Sequence, residues 1–160
     1  MFSYGSANFF GSMGGQPLNR PVVGMAVTHD GQGYWLVASD GGIFSFGDAS
    51  FFGSMVGQPL NHPVDGIAAT ADGQGYWLVA SDGGIFTFMN ARFFGSAGSV
   101  NVGSFFIGVV PTPSGAGYWI PIHSGGSFNY GDASYQGSPG GMQLNALIVG
   151  MSAAHAPRPG

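Results

Sequence analysis

Polar clusters recur between the apolar segments of this sequence, and they hold the residue types that bind or hydrolyse polar ligands. Ser-Asp pairs begin at Ser39 and Ser81, and His123 takes the same place 42 residues later. Amides, carboxylates and a single cation are suitable partners for sugar hydroxyls. Ser-Asp-Gly-Gly and Asn-x-Pro are also ordinary turn and linker sequences, so a purely structural role is the alternative. The candidate ligand-binding residues are Gln16, Asn19, Arg20, Ser39, Asp40, Gln58, Asn61, His62, Ser81, Asp82, His123 and Ser124.

The same clusters contain the groups of a hydrolase. Ser39 or Ser81, together with His62 and either Asp40 or Asp82, supplies a nucleophile, a base and a carboxylate. No Gly-x-Ser-x-Gly elbow follows a strand and precedes a helix. Glutamate is absent, so a glycosidase would need paired aspartates. An esterase-like hydrolase is therefore a second functional hypothesis.

Two histidines raise the question of a metal site. His29 and His155 occupy equivalent positions, 126 residues apart, at the end of a predicted strand. If the repeats surround an axis, these side chains could share a metal with Asp30 and Asp72. Exposed turn histidines give the same pattern, so no metal or other cofactor is assigned, and the histidine pair stays an alternative.

The composition excludes several classes of protein. The 160 residues carry a net charge of -4, and only 6% of them are charged. Three arginines and no lysine cannot neutralise a run of phosphates, so nucleic acid is not expected as a partner. Without cysteine there are no disulfides, thiolate nucleophiles or cysteine-based zinc sites. No apolar run approaches the roughly 20 residues that span a bilayer, and the N-terminus has no signal-peptide pattern.

An interval of 42 residues organises the whole chain. Gly-Ser pairs mark each unit at Gly11, Gly53, Gly95 and Gly137. We therefore predict a single domain, 1–160, with repeats 1–10, 11–52, 53–94, 95–136 and 137–160. A period of about 40–45 residues is typical of four-stranded propeller blades or of paired-helix repeats. Glycine at 31 positions leaves no window for a stable helix, so we predict an all-β fold.

Apolar segments between the turns predict four strands, A to D, in each repeat. Asp-Gly turns tolerate the positive φ of tight hairpins. Strand B is apolar without alternation, as expected when both faces of a sheet are covered. Strand A has small residues that suit a crowded axis, and we therefore predict a β-propeller of four-stranded antiparallel blades. In the first full repeat the strands are Val22–Thr28, Tyr34–Ser39, Ile43–Phe46 and Ser50–Gly53.

Residues 22–54 resemble the Gly/Phe-rich tandem repeat of secreted and envelope-associated actinobacterial proteins; their sequence is VVGMAVTHDGQGYWLVASDGGIFSFGDASFFGS. The resemblance extends over essentially the whole chain. Such repeats often stand beside cell-wall hydrolase or peptidase domains and have no assigned catalytic motif. The stretch DGGIFSFGDA is also similar to repeats of the regulator of chromosome condensation family, although the period fits WD-type blades better. The resemblance implies an adhesive or binding propeller in a secreted or envelope protein. Together with the repeated polar turns and the low charge, it gives the first functional hypothesis, a non-catalytic module that binds a glycan, a cell-wall component or a protein at the cell envelope.

The repeat register predicts about 3.75 blades in the chain. Phe2–Tyr4 matches strand C and Leu147–Ala154 matches strand A, with no strand B to join them. Since propellers have about four to eight blades, we expect either a segment of a longer array or a homo-oligomer, a dimer in the simplest case, that completes a ring. A purely structural, self-assembling repeat is the third functional hypothesis.

Overall fold

The computed structural model describes residues 1–139 and 142–154, and this part of the chain is all-β, as predicted. It contains no helix, and therefore none long and apolar enough to cross a membrane. Within these described residues, nine strands form three sheets in chain order. The strands are β1 Val22–Val27, β2 Gly33–Ala38, β3 Ile43–Gly47, β4 Val64–Ala69, β5 Gly75–Ala80, β6 Ile85–Met89, β7 Val110–Pro111, β8 Gly117–Pro121 and β9 Ser127–Gly131.

Each sheet is an antiparallel meander of three strands, with the predicted strand B in the middle. The first two sheets have the same register, including an irregularity near the start of the first strand. The third sheet departs from them, because β7 has two residues and a single bridge joins Phe106 to Ile122. Pro111 lies in β7 and Pro113 follows it, and a proline has no backbone N–H to donate to the hydrogen-bond ladder of a sheet.

The predicted fourth strand, Ser50–Gly53 in the first repeat, forms no backbone ladder, so four-stranded blades are not confirmed. Side chains hold this segment instead. Trp35 Nε1 donates to Ser50 O at 2.7 Å, and Phe52 N donates to the hydroxyl of Tyr76 at 3.2 Å. Gly53 has a φ of +127°, outside the extended conformation of a strand.

The predicted strands at the two ends of the chain also differ from expectation. Neither Phe2–Tyr4 nor the described stretch Leu147–Ala154 lies in a strand. Phe2, Tyr4, Leu147 and Val149 are exposed. Among the described residues no strand lies beside either segment, and a lone strand has unpaired backbone groups and gains little from order.

The core lies between successive sheets, and the alternation of side chains along the central strands builds it. In β5, Tyr76 and Leu78 join the cluster shared with the first sheet, whereas Trp77 and Val79 join the cluster shared with the third. All four side chains are almost fully buried. Burial of a large apolar side chain contributes about 1.5–3 kcal/mol. The apolar run of strand B is thus explained by two covered faces.

Candidate functional site

The β2–β3 and β5–β6 turns are built by aspartate and glycine. Gly41 and Gly83 adopt positive φ, +78° and +84°, which glycine accepts without steric cost. Asp40 and Asp82 each accept, on Oδ1, the N–H two residues further on, at 3.0 and 2.9 Å. Among the described residues, neither aspartate makes another side-chain hydrogen bond. One carboxylate oxygen of each therefore shapes the turn and the other is available to a ligand.

The linker 53–63 returns across the first of these turns. Met55 N donates to Gly41 O at 3.1 Å, and Val64 N, at the start of β4, donates to Ser39 O at 2.9 Å. These bonds fix the linker on both sides of its polar stretch. The turns and the linkers consequently lie on one face, which we call the turn face.

A cavity of about 390 Å³ lies on the turn face between the first and second repeats. Arg20 and Asp40 also line a neighbouring cavity of about 300 Å³, together with Asn19. The structure therefore brings together residues from a turn and from two successive linkers. Of the predicted ligand-binding residues, those that line the 390 Å³ cavity are Arg20, Ser39, Asp40, Gln58, Asn61 and His62.

A second cavity, of about 440 Å³, takes the equivalent place between the second and third repeats. His62, Ser81 and Asp82 line one side of it, and the linker 98–105 lines the other. Phe105 is 64% exposed there, and its ring meets His123 edge-on with centroids 6.5 Å apart. Because His62 lines both cavities, the two sites share a side chain.

Three predicted ligand-binding residues lie apart from these cavities. Gln16 and Ser124 are exposed and line neither of them. His123 is half-buried, and its Nδ1 is buried without a hydrogen-bond partner. Burial raises the pKa of the Asp65 carboxyl on β4, and the charge of His123 opposes this in smaller measure. His123 thus belongs to the interior beside the site.

The hydrolase residues meet in space without forming a relay. Ser81, Asp82 and His62 line one cavity, and Ser39, Asp40 and His62 line the other. In residues 1–139 and 142–154, no hydrogen bond joins any of these side chains to another. A serine nucleophile is activated through such a bond to its base. The groups that hydrolysis needs therefore line the same cavities, but they are not connected by hydrogen bonds.

The candidate metal residues lie on the opposite face. His29 lines a cavity of about 270 Å³ together with Asp30, Asp48 and Asp72. Its predicted partner, His155, lies outside the described residues. In the part of the chain that the structure describes, no three of these or other metal-ligating side chains are placed so that they could hold one metal ion. The described residues therefore provide no further metal ligands for the predicted site of His29 and His155.

Aspartates on this opposite face fasten turns to one another. Asn90 donates to Asp72 Oδ2 at 2.6 Å, and the Ser114 hydroxyl donates to Asp132 Oδ2 at 2.5 Å. The hydroxyl of Thr70 is the main cause that lowers the pKa of Asp72, and that of Ser114 does the same for Asp132. These carboxylates are engaged in the fold, which leaves the turn face as the better candidate for ligand binding.

The linker 98–105 is the functional feature that sequence reasoning missed. The corresponding six residues read QPLNRP and QPLNHP in the two preceding linkers but VNVGSF here. Phe105 stands where the other two linkers have proline. This loss of the repeat pattern is the signal that would have identified the cavity.

Comparisons with known proteins do not assign the chain. No protein-family model matches the sequence, and no curated protein is significantly similar to it. The function is therefore argued from the site itself.

Proposed function

We propose that this protein is a non-catalytic binding module whose turn face recognises a neutral saccharide, such as a glycan of the cell envelope. One observation carries the proposal. In the 440 Å³ cavity an exposed aromatic ring, that of Phe105, stands beside hydroxyl, amide, imidazole and carboxylate groups. A sugar presents an apolar C–H face and a rim of hydroxyls, and it needs this combination of partners.

The polar lining suits hydroxyl groups better than charged ligands. Asn101 uses Oδ1 to accept Gly103 N at 3.1 Å, which leaves its amide N–H groups to donate. Ser104 can donate and accept, and the second carboxylate oxygen of Asp82 can accept. Asp82 is the single acidic side chain in this lining, and neither arginine nor lysine is among its residues. Such a site has little to offer a phosphate or a polyanion.

The packing of the sheets supports a propeller-like, radial arrangement. A methyl group placed on Gly24 would lie 3.4 Å from Gly66 Cα, so the first strands of neighbouring sheets approach closely. Further out, the ring of Phe52 stands between Trp35 and Tyr76, with centroids 6.0 and 5.5 Å away. Sheets that touch at one edge and are spread by rings at the other form wedges, and equal wedges follow one another around an axis.

The repetition of the site supports multivalent binding. The 390 Å³ cavity offers a second set of amide, carboxylate and hydroxyl groups one repeat away, with His62 between the two. A polymer with a repeated sugar unit can occupy both, and the second contact then forms at a high effective concentration. The resemblance to secreted actinobacterial repeats supports a location in the cell envelope, where such polymers occur.

The proposal is tested by isothermal titration calorimetry, which measures the affinity of the chain for neutral oligosaccharides and soluble peptidoglycan fragments. We expect binding that Phe105→Ala weakens about tenfold, or about 1.4 kcal/mol. Phe93→Ala is the matched control, because Phe93 is 61% exposed but lines none of the turn-face cavities. Absence of binding to every saccharide, or equal weakening by the two substitutions, contradicts the proposal.

An esterase-like hydrolase is the second candidate, since Ser81, Asp82 and His62 line one cavity. Because no hydrogen bond joins the Ser81 and His62 side chains, a bound ligand would have to bridge them before the serine proton could pass to the histidine. Hydrolysis of a chromogenic ester that Ser81→Ala abolishes, and that Ser39→Ala leaves intact, would establish this activity. Equal rates for the parent chain and Ser81→Ala would eliminate it.

A further inference from the structure

The first strand of the first sheet, β1, presents an open apolar face, although Tyr34 and Leu36 beside it on β2 are buried. Met25 on β1 is 51% exposed, whereas Ile67, its counterpart on β4, is 8% exposed. Val22 and Val27 are exposed too, and Val64, the counterpart of Val22, is fully buried. Of the two equivalent first strands in these nearly identical sheets, β4 is therefore covered and β1 is open.

The surface that covers β4 belongs to the repeat itself. Ala26, Trp35 and Val37 of the first sheet pack in one cluster with Val64 and Ile67. The ring of Trp35 also meets that of Tyr76 edge-on, with centroids 5.8 Å apart. Trp77 and Tyr118 repeat this contact at the next junction, at 5.9 Å. A sheet of this chain is consequently the surface that fits the open face of β1.

The third sheet has the equivalent surface, but the space beside it is open. A methyl group on Gly66 would lie 3.2 Å from Gly108 Cα, but one on Gly108 would meet no atom within 4 Å. Trp119 is half-buried, whereas Trp35 and Trp77 are both 1% exposed. Among residues 1–139 and 142–154, no further sheet therefore lies beside this face of the third sheet, as one does beside the first and the second.

The stretch 142–154 supplies such a neighbour only in part, since Ile148 and Met151 line a cavity of about 180 Å³ together with Trp119. Ile148 N donates to His123 O at 3.0 Å, the contact with which each new repeat begins on the turn face. Leu147 and Val149 nevertheless remain exposed, and Gly108 stays open. The end of the third sheet is therefore an extended apolar surface with no charged side chain among these residues.

We propose that two copies of this chain associate head to tail. The β1 face of one copy packs against the face of the third sheet that carries Gly108 and Trp119 in the other copy, here called the Gly108–Trp119 surface. This contact repeats the junctions between the sheets of a single chain. Such a heterologous contact either closes a ring or extends without limit. Two copies bring six sheets, within the range of about four to eight in closed propellers, whereas three copies exceed it. The product is a dimeric ring with two identical junctions, and this inference does not depend on saccharide binding.

Sedimentation velocity with two blocking variants tests the dimer. We expect twice the 16.3 kDa of one chain for the parent protein. Met25→Asp places a charge on one half of the junction, and Gly108→Leu fills the other half. Both should sediment as folded monomers with the circular dichroism of the parent, since Met25 is exposed and Gly108 borders open space. Met89→Asp is the control that stays dimeric, because Met89 is 74% exposed on the outer strand β6.

A mixture of the two blocked variants distinguishes the direction of the contact. Met25→Asp retains an intact Gly108–Trp119 surface and Gly108→Leu retains an intact β1 face, so an equimolar mixture should form a heterodimer through one junction. Dimer formation should also shift the fluorescence of Trp119 to shorter wavelength, since its ring becomes buried.

Three results would overturn the proposal. The parent chain remains monomeric at its highest soluble concentration, or Gly108→Leu remains dimeric while Met25→Asp does not, which indicates a symmetric β1–β1 contact. The third is a mixture of the two variants that stays monomeric.

Discussion

Removal of one hydroxyl should uncouple the outer segment of the first repeat from the second sheet. The Tyr76 hydroxyl donates to Gly53 O at 2.5 Å and accepts from Phe52 N at 3.2 Å. The ring itself lies between Trp35 and Phe88, with centroids 5.8 and 5.3 Å away. Tyr76→Phe keeps these ring contacts and removes the two hydrogen bonds alone.

The loss can be worked from those two bonds. Each intramolecular hydrogen bond contributes about 0.5–1.5 kcal/mol net, and the N–H and C=O left behind are partly buried. We expect the free energy of unfolding to fall by about 2 kcal/mol. For a chain of this size that corresponds to a fall in Tm of roughly 4–8 °C. Urea denaturation and calorimetry measure the two quantities.

The effect should depend on alkaline pH. Burial raises the pKa of Tyr76, while the bonds to Phe52 and Gly53 oppose this in smaller measure. An acid whose pKa rises on folding contributes stability that is present below its unfolded value, about 10, and is lost as the pH rises through the folded value. The parent chain therefore loses stability above about pH 10 through this residue, and Tyr76→Phe does not. The difference between the two proteins should shrink there.

Tyr34→Phe is the matched control, because Tyr34 makes the same bonds to Phe10 N and Gly11 O. The segment that it holds is largely exposed, as Phe2, Tyr4 and Phe9 show. Water can satisfy the released groups, so we expect a loss below about 1 kcal/mol. If Tyr76→Phe cost no more than Tyr34→Phe, side-chain anchoring of the outer segments would be the wrong explanation of their position.

Four further substitutions probe the glycine contacts and the turns. Gly66→Ala should destabilise the chain by about 1–3 kcal/mol in urea denaturation, because the new methyl group lies 3.2 Å from Gly108 Cα; in the monomer Gly108→Ala should be neutral. Met89→Gly should stabilise by up to about 1 kcal/mol, since Met89 has a φ of +54° where the three equivalent residues, Gly5, Gly47 and Gly131, are glycine. Ser114→Ala should raise the pKa of Asp132 towards its ordinary value in an NMR titration. The Asp132 carboxylate contributes stability above about pH 4, and this stability is lost as the pH falls through its lowered pKa. Acid unfolding of Ser114→Ala should therefore begin at a higher pH than that of the parent chain.

Much of the fold was predictable from local chemistry. Strand B is apolar at every position because both of its faces are covered, and β2 and β5 are buried throughout. Asp-Gly turns predict hairpins, and Gly31, Gly41 and Gly73 do adopt positive φ at the tight turns. The strands A to C of the first two repeats agree with prediction to within one residue. Short-range rules suffice here because each turn connects neighbours in the chain.

The outer segment shows where local rules fail. Ser50–Gly53 has aromatic residues typical of a strand, but Trp35 of its own repeat and Tyr76 of the next one take its backbone groups. Whether a segment pairs with β3 or is held by side chains depends on rings that lie 15 and 24 residues away. Composition alone could not reveal this competition.

The sequence by itself determined the β-meanders, their interval of 42 residues and the polar character of the turns, because each depends on residues close in the chain. The tertiary structure decided which polar residues meet, since Ser81 and His62 come together only when a linker folds back over a turn. It also decided that β1 and the Gly108–Trp119 surface are open. Burial is a property of neighbouring sheets, and identical sequence positions differ in it according to what lies beside them.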